Sequence, residues 1–208
     1  MQVTSDSFQP DGPIPSEFAF GKMHPEDHFE LSDNRNPHVA WGGAPEGTRS
    51  FAVLCIDSTA PTSGEDVNQE GRTVSKDLPR ADFVHWVLVD VPSHVNEIAA
   101  GSCSDGVTPG GKQDPPGPAG SRQGVTDYTA WFAGDPAMGG TYYGYDGPAP
   151  PWNDELAHHY RFEVLALDVE RLDLPEDFQL ADVRAAAEGH VLASGSVVGT
   201  YTLNPELA

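Results

Sequence analysis

RSFAVLCID, residues Arg49–Asp57, decides the fold. From Phe51 to Ile56 every side chain is apolar, so both faces of an extended segment must be covered, as in the central strand of a sheet. Two further runs have the same character. DFVHWVLVDVP (Asp82–Pro92) is rich in β-branched and aromatic residues. HHYRFEVLALD (His158–Asp168) begins by alternating. His158, Tyr160, Phe162, Val164 and Ala166 share one face, and His159, Arg161 and Glu163 the other. Weaker strand signals lie at His38–Trp41, Asp127–Phe132 and Ser196–Leu203. Leu180, Val183, Ala187 and Val191 recur at helical spacing and predict a helix over Gln179–Ala193, weakened by Gly189. Val95–Ala100 reads as a helical turn. Glycine (22) and proline (19) punctuate the rest, so the pattern predicts a mainly β domain with a few peripheral helices.

At 208 residues the chain is expected to form one domain, residues 1–208, with long loops at 62–80 and 104–124. Eleven basic against 32 acidic residues give a net charge of −21, which repels nucleic acid and anionic membrane surfaces. The acids are dispersed from Asp6 to Glu206, and the lysines are few (Lys22, Lys76, Lys112). Such a surface suits concentrated salt, where screening removes self-repulsion, and it predicts a halophilic host. Cys55 and Cys103 do not make a disulfide framework. The N-terminal stretch MQVTSDSFQPDGPIP lacks a basic and an apolar region, and no apolar run reaches bilayer length. The expectation is a cytoplasmic protein without membrane insertion.

Three blocks carry candidate chemistry. In CIDSTAP (Cys55–Pro61), Asp57 ends a strand on the face of Phe51, Val53 and Cys55, where a carboxylate needs a partner. In HWVLVDVP, His85 opens a strand and Trp86 is expected on the opposite face. In YDGPAPPWNDELAHHYRF, a stiff loop of Gly147, Pro148, Pro150 and Pro151 leads into His158 and Tyr160, whose face continues into the core. Each block alone is more often structural. Together they have the form of a small-molecule pocket: apolar walls with a few aimed polar groups.

The order Asp-x-x-x-Pro, then His-Trp, then Tyr-x-Gly-Pro-x-Pro-Pro and His-x-Tyr-x-Phe resembles the phosphatidylethanolamine-binding protein family, in particular its bacterial and archaeal Raf-kinase-inhibitor-like branch. The matching residues are Asp57 and Pro61, His85 and Trp86, Tyr145, Gly147, Pro148, Pro150 and Pro151, and His158, Tyr160 and Phe162. The resemblance runs from about Asn36 to the C-terminus. The chain departs from the family pattern at Ser58 and Thr59, at Trp152 and Asn153 after the Pro-Pro pair, and at His159.

The resemblance implies a large central β-sheet packed against a smaller one, with peripheral helices and a small anion-binding pocket. Its ligand-binding set here would be Asp57, Pro61, His85, Trp86, Tyr145, Gly147, Pro148, Pro151, His158 and Tyr160. His85 and His158 would donate N–H groups to phosphoryl oxygens, Tyr160 would add a hydroxyl, and Asp57 would fix one imidazole and raise its pKa. Pro61, Pro148 and Pro151 would wall the site, with Trp86 packed beneath. The expected ligand is a small phosphorylated or other anionic head group, held without catalysis and without a cofactor. With no arginine or lysine in these motifs, such binding would be weak.

Two other classes stay open at this point. One is a kinase or protease inhibitor, an activity the family name implies for some members, with a partner that the sequence does not identify. The other is a hydrolase built on Asp57, His85 and His158, since His and Asp are legitimate zinc ligands. Against it, the sequence has no H-E-x-x-H or G-x-S-x-G motif. His24, His28, His38, His94 and His190 read as surface or structural residues. A homodimer follows by family analogy alone, with no interface visible in the sequence.

Overall fold

A computed structural model describes residues 1–208. Its strands, in chain order, are β1 (Gln2–Thr4), β2 (Gly21–Lys22), β3 (Glu30–Leu31), β4 (Val39–Gly42), β5 (Ser50–Pro61), β6 (Arg80–Pro92), β7 (Glu97–Ile98), β8 (Arg122–Gln123), β9 (His158–Leu167) and β10 (Val191–Tyr201). Two short helices are α1 (Tyr128–Trp131) and α2 (Leu180–Ala186). The main sheet is five-stranded in the order β10-β9-β5-β6-β8, with every neighbouring pair antiparallel. A three-stranded sheet, β1-β4-β7, and the β2-β3 ribbon complete the β structure. The mainly β architecture of a large sheet with smaller ones is therefore present.

The apolar run of β5 explains the layering. Phe51, Val53 and Cys55 join Trp41, Val39 and Ile98 of the small sheet in one core. Ala52, Leu54 and Ile56 join Leu172, Phe178, Leu180 and Val183 in a second core, beneath α2. β9 divides in the same way: Tyr160, Phe162, Val164 and Ala166 enter the first core, Leu165 and Leu167 the second. Neither face of the central strands meets water, so truncating Leu54 to alanine is expected to cost about 2–5 kcal/mol.

Three minor elements differ from expectation. Asp127–Phe132 contains a helical turn, because Tyr128 and Phe132 stack one turn apart (centroids 5.6 Å) against Phe20. Val95–Ala100 contains β7, whose buried Ile98 pairs with Val39 in the small sheet. The helix over Gln179–Ala193 stops at Ala186, and the chain turns through Gly189 at φ +80. Val191 then pairs with Leu167, so β10 begins earlier than the expected Ser196 and ends at Tyr201.

Two irregularities of the β5–β6 pairing position the site. Cys55 pairs with Trp86 but Ile56 pairs with Val84, which leaves His85 as an extra residue in β6. Asp57 pairs with Phe83 and Ala60 with Ala81, which puts one extra residue into β5 around Ser58 and Thr59. Bulges of this kind re-aim side chains at a strand end. The first turns both His85 and Trp86 toward the face that carries Tyr160, and so corrects the expectation that they point to opposite faces.

Candidate functional site: a cavity at the bulged end of the sheet

The ends of β5, β6 and β9 open onto a cavity of about 490 Å³. Asp57, His85, His158 and Tyr160 converge at its inner end. Phe20, Phe29, Phe83, Tyr128, Phe132 and Met138 supply an aromatic and apolar wall. Ala60, Pro61, Ser63, Gly64, Val67 and Asn68 form one side, Ala149, Pro150 and Pro151 another, and the exposed Leu31 and Trp131 also line the cavity.

His158 lies between two carboxylates. Its Nδ1 is 2.6 Å from Asp57 Oδ2 and its Nε2 is 3.1 Å from Asp154 Oδ2. Asp154 also receives both terminal nitrogens of Arg80, at 2.5 and 2.9 Å. Arg80 anchors the adjoining chain through the Thr59 and Ser75 carbonyls. Burial disfavours charge on all three titrating members, but the mutual pairing outweighs it. His158 is raised above its ordinary value by hydrogen bonds from its nitrogens to Asp154 and Asp57. Asp57 is lowered by His158 and Thr59, and Asp154 by His158 and Arg80. The result is a doubly hydrogen-bonded imidazole and a guanidinium matched to two carboxylates, with both imidazole nitrogens and both terminal nitrogens of Arg80 committed and only the buried Arg80 Nε without a partner. Thr59 completes it. Its backbone N–H (2.8 Å) and hydroxyl (2.6 Å) both donate to Asp57 Oδ1, and its oxygen accepts from the His159 amide. The departure at Thr59 thus caps the aspartate.

His85 is the opposite case. Its Nδ1 lies 2.8 Å from the Asp146 carbonyl, which can only accept, so Nδ1 carries the proton. Burial, the dominant effect, lowers its pKa, so the ring is neutral and Nε2 holds a lone pair. Nε2 makes no hydrogen bond within the protein, and the ring lines the cavity. Phe83, Tyr160 and Tyr128 surround it at 5.0, 5.1 and 5.4 Å between ring centroids.

The proline loop is held from behind. The Asn34 amide donates to Asp146 Oδ1 (2.7 Å), and its oxygen accepts from the Gly147 N–H (2.8 Å). Lys112 binds Asp146 at 2.6 Å. The Pro148 carbonyl accepts from the amides of Phe20 and Gly21. A side chain at Gly147 would come within 2.1 Å of the Phe18 carbonyl, so only glycine allows this approach.

Of the ten residues expected at the site, Asp57, Pro61, His85, Pro151, His158 and Tyr160 line the cavity. The other four stand behind it. Trp86 is fully buried against Tyr145, with its indole N–H on Gln123. Tyr145 gives its hydroxyl to the Phe18 carbonyl, and Gly147 and Pro148 serve as backbone contacts. The role expected for His158 is also corrected: with both nitrogens held by carboxylates, it offers no N–H to a ligand.

Arg80, Asp154 and the N-terminal aromatics Phe20 and Phe29 are site components that sequence reasoning missed. The departures at Trp152 and Asn153 gave a signal. The Asn153 amide donates to the carbonyls of Asp66 (2.9 Å) and Arg72 (3.0 Å), and its oxygen accepts from the Asn68 N–H (3.0 Å). Trp152 stacks on His28 at 4.1 Å. The two residues tie the long segment after β5, and the N-terminal arm, to the cavity mouth.

Comparisons with known proteins agree with this architecture. The phosphatidylethanolamine-binding protein family profile matches residues 4–202, and the chain belongs to that family. It is 31% identical to UPF0098 protein YbhB of Escherichia coli, over 97% of this chain and all of that one. It is 29% identical to a UPF0098 protein of Aquifex aeolicus, over 97% of this chain and 88% of that one. Its fold is similar to the crystal structure of Escherichia coli YbcL, described as a member of the mammalian PEBP family, with a TM-score of 0.68, 24% identity and 97% of each chain covered. The match extends through the N-terminal arm, which the motifs alone did not reach.

Proposed function

We propose that this family member is a non-catalytic binding protein for small molecules of the head-group type. The ligand's compact polar end would reach Asp57, His85 and Tyr160, and its body would lie on the aromatic wall. One observation carries the reading: the polar groups converge at the inner end of a sizeable cavity whose remaining lining is mostly hydrophobic, the usual form of a small-molecule site. His158 is withdrawn from acid–base work, because a general base needs a free nitrogen within reach of the substrate and both of its nitrogens are held by carboxylates. His85 Nε2 is free, so non-catalytic binding requires that a bound ligand be recovered unchanged. No cluster of three or more His, Cys, Asp or Glu side chains is arranged to hold a metal ion.

A phosphorylated head group belongs to this proposal as the ligand the family implies. Its phosphoryl oxygens would be received by neutral donors such as the Tyr160 hydroxyl, not by the histidines, so its affinity would be modest. No helix is long and apolar enough to cross a membrane.

The test is calorimetric titration of O-phosphorylethanolamine into wild type and into Ala60→Trp, which fills the cavity from the end of β5. The expected result is saturable binding lost in Ala60→Trp, with the ligand recovered unchanged by phosphorus NMR. Equal binding by the filled variant would move the site elsewhere, and consumption of the ligand would make the protein an enzyme.

A further inference from the structure

We propose that the hairpin of β2 and β3, residues Gly21–Leu31, is a flap over the cavity mouth, held shut by a clasp in which the His28 ring lies on Trp152 and bonds Glu70. That the flap controls the entry of a ligand rests on the binding function proposed above; that it covers the cavity does not.

The hairpin has little to hold it by itself. β2 and β3 meet in two register pairs, Gly21 with Leu31 and Lys22 with Glu30, and join neither larger sheet. A lone two-stranded hairpin is marginally stable in water. Its base is anchored, with the Gly21 amide on the Pro148 carbonyl (3.1 Å) and the Ser32 amide on the Phe20 carbonyl (2.9 Å). Phe29 folds back over Gly21 so closely that a Cβ there would clash with its ring, and it reaches the cavity lining together with Leu31. The hairpin thus carries two apolar side chains into the mouth. From Lys22 to Glu30, the one hydrogen bond that leaves it is His28 Nε2 to Glu70 Oε1, at 2.8 Å. Beside that bond the His28 ring stacks on Trp152, with centroids 4.1 Å apart and planes 15° from parallel.

The receiving side is fixed. Trp152 follows Pro150 and Pro151 of the cavity wall, and its amide donates to Asn68 Oδ1 (3.0 Å). The Asn68 amide donates in turn to the side chain of the buried Asn153, which also holds the carbonyls of Asp66 and Arg72. Segment 66–72, which bears Glu70, is therefore a post tied to the loop behind it. The clasp on this post is weak. The His28 and Glu70 side chains are 36% and 81% exposed, and a pair so open to solvent contributes little. His28 is also held at φ +62, a conformation that costs an L residue free energy, so the closed tip carries a small local cost that its two contacts offset. A weak clasp between a fixed post and a marginal hairpin makes a reversible closure, where buried bonds would have made a permanent wall.

The experiment compares full-chain wild type with Trp152→Ala, Trp152→Phe and His28→Asn, each checked for folding by circular dichroism. His28→Asn removes the ring and keeps a residue that tolerates the left-handed backbone. Hydrogen exchange is followed by mass spectrometry over residues 21–32, 66–72 and 158–167. In parallel, Ala149→Cys, at a position lining the cavity, is combined with each variant and its reaction with dithiodipyridine is timed. The same chains without Ala149→Cys give the background, since Cys55 and Cys103 are buried. The expected result is that Trp152→Ala and His28→Asn each speed both the exchange of residues 21–32 and the labelling at position 149, by about threefold to tenfold. Trp152→Phe, which keeps a stacking ring, stays near wild type, and residues 66–72 and 158–167 exchange as before. Unchanged exchange over 21–32 would show that the clasp does not hold the hairpin. Faster exchange there without faster labelling would show that the hairpin does not cover the mouth, and an equal rise over 158–167 would show a general loss of stability. Each of these three results overturns the flap. None of the readouts uses a ligand, so failure of the flap and failure of O-phosphorylethanolamine to bind are separate results.

Discussion

His85 and His158 flank β5 in the sheet, line one cavity and are 3% and 1% exposed, yet their surroundings give them opposite charge and opposite work. His158 sits between two carboxylates and is held as an imidazolium whose donors are all used. His85 gives its one proton to a backbone carbonyl and stays a neutral acceptor among aromatic rings. A histidine at a strand end therefore has no fixed meaning. The partners supplied by distant segments decide whether it closes a structural network or faces a ligand.

The largest test of this contrast removes Asp154. Asp154→Ala leaves the buried His158 with Asp57 as its one carboxylate and the half-buried Arg80 with none, so urea unfolding should show a loss of about 3–5 kcal/mol. His85→Phe, which loses only the Nδ1–H bond to the Asp146 carbonyl, should cost less, about 1–3 kcal/mol. Equal losses would erase the distinction between the two corners.

A smaller effect is expected at the hinge between cavity and loop. Asn153→Ala strips several backbone groups of the 66–72 segment of their partner, at a cost of about 1–3 kcal/mol. Limited proteolysis should cut that segment faster in the variant, with the His85 corner unaffected. Unchanged cleavage would mean that the loop is held by something other than Asn153.

The histidines should also mark stability with opposite pH limbs. The folded pKa of His158 is raised, so its contribution is complete below the ordinary value of 6.5 and is lost as pH climbs through the folded value. The folded pKa of His85 is lowered. Above 6.5 it costs nothing, and as pH falls below 6.5 the unfolded chain takes up the proton first, so stability declines down to the folded value. Each limb has a slope of up to about 1.4 kcal/mol per pH unit. In urea melts, His85→Phe should flatten the acid limb and a His158 variant the alkaline one. Asp57 and Asp154, both lowered, lose their contribution only as pH falls below their ordinary value of 3.8.

The smallest expected effect is of salt. Molar salt should stabilise the whole chain by screening its net charge, yet change the cost of Asp154→Ala by only about 0.5 kcal/mol, because buried pairs are poorly screened. A cost that vanished in salt would place this network at the surface in energetic terms.

Much of this molecule was legible in the sequence. Continuous apolar runs marked β5 and β6, and the alternation from Tyr160 to Ala166 assigned the core face of β9. The spacing of Asp57, His85 and His158 brought three cavity residues together. What stayed hidden depended on long-range pairing. Arg80 and Asp154 meet across 74 positions, and no local pattern joins them. The bulge at His85 adds one residue without any glycine or proline to announce it, so a strict period of two put Trp86 on the wrong face. The aromatic wall comes partly from Phe20 and Phe29, in an arm too irregular for periodicity to read.

The most direct test of the account is the protonation of the two rings. Long-range nitrogen–proton correlation spectra of imidazole-labelled protein at neutral pH, with His85→Phe and a His158 variant for assignment, distinguish a doubly protonated ring from each neutral tautomer. The prediction is a doubly protonated His158 beside a neutral His85 carrying its proton on Nδ1. A neutral His158, or a His85 protonated at Nε2, would contradict it, because the cavity would then offer a ligand the donor that this account says it lacks.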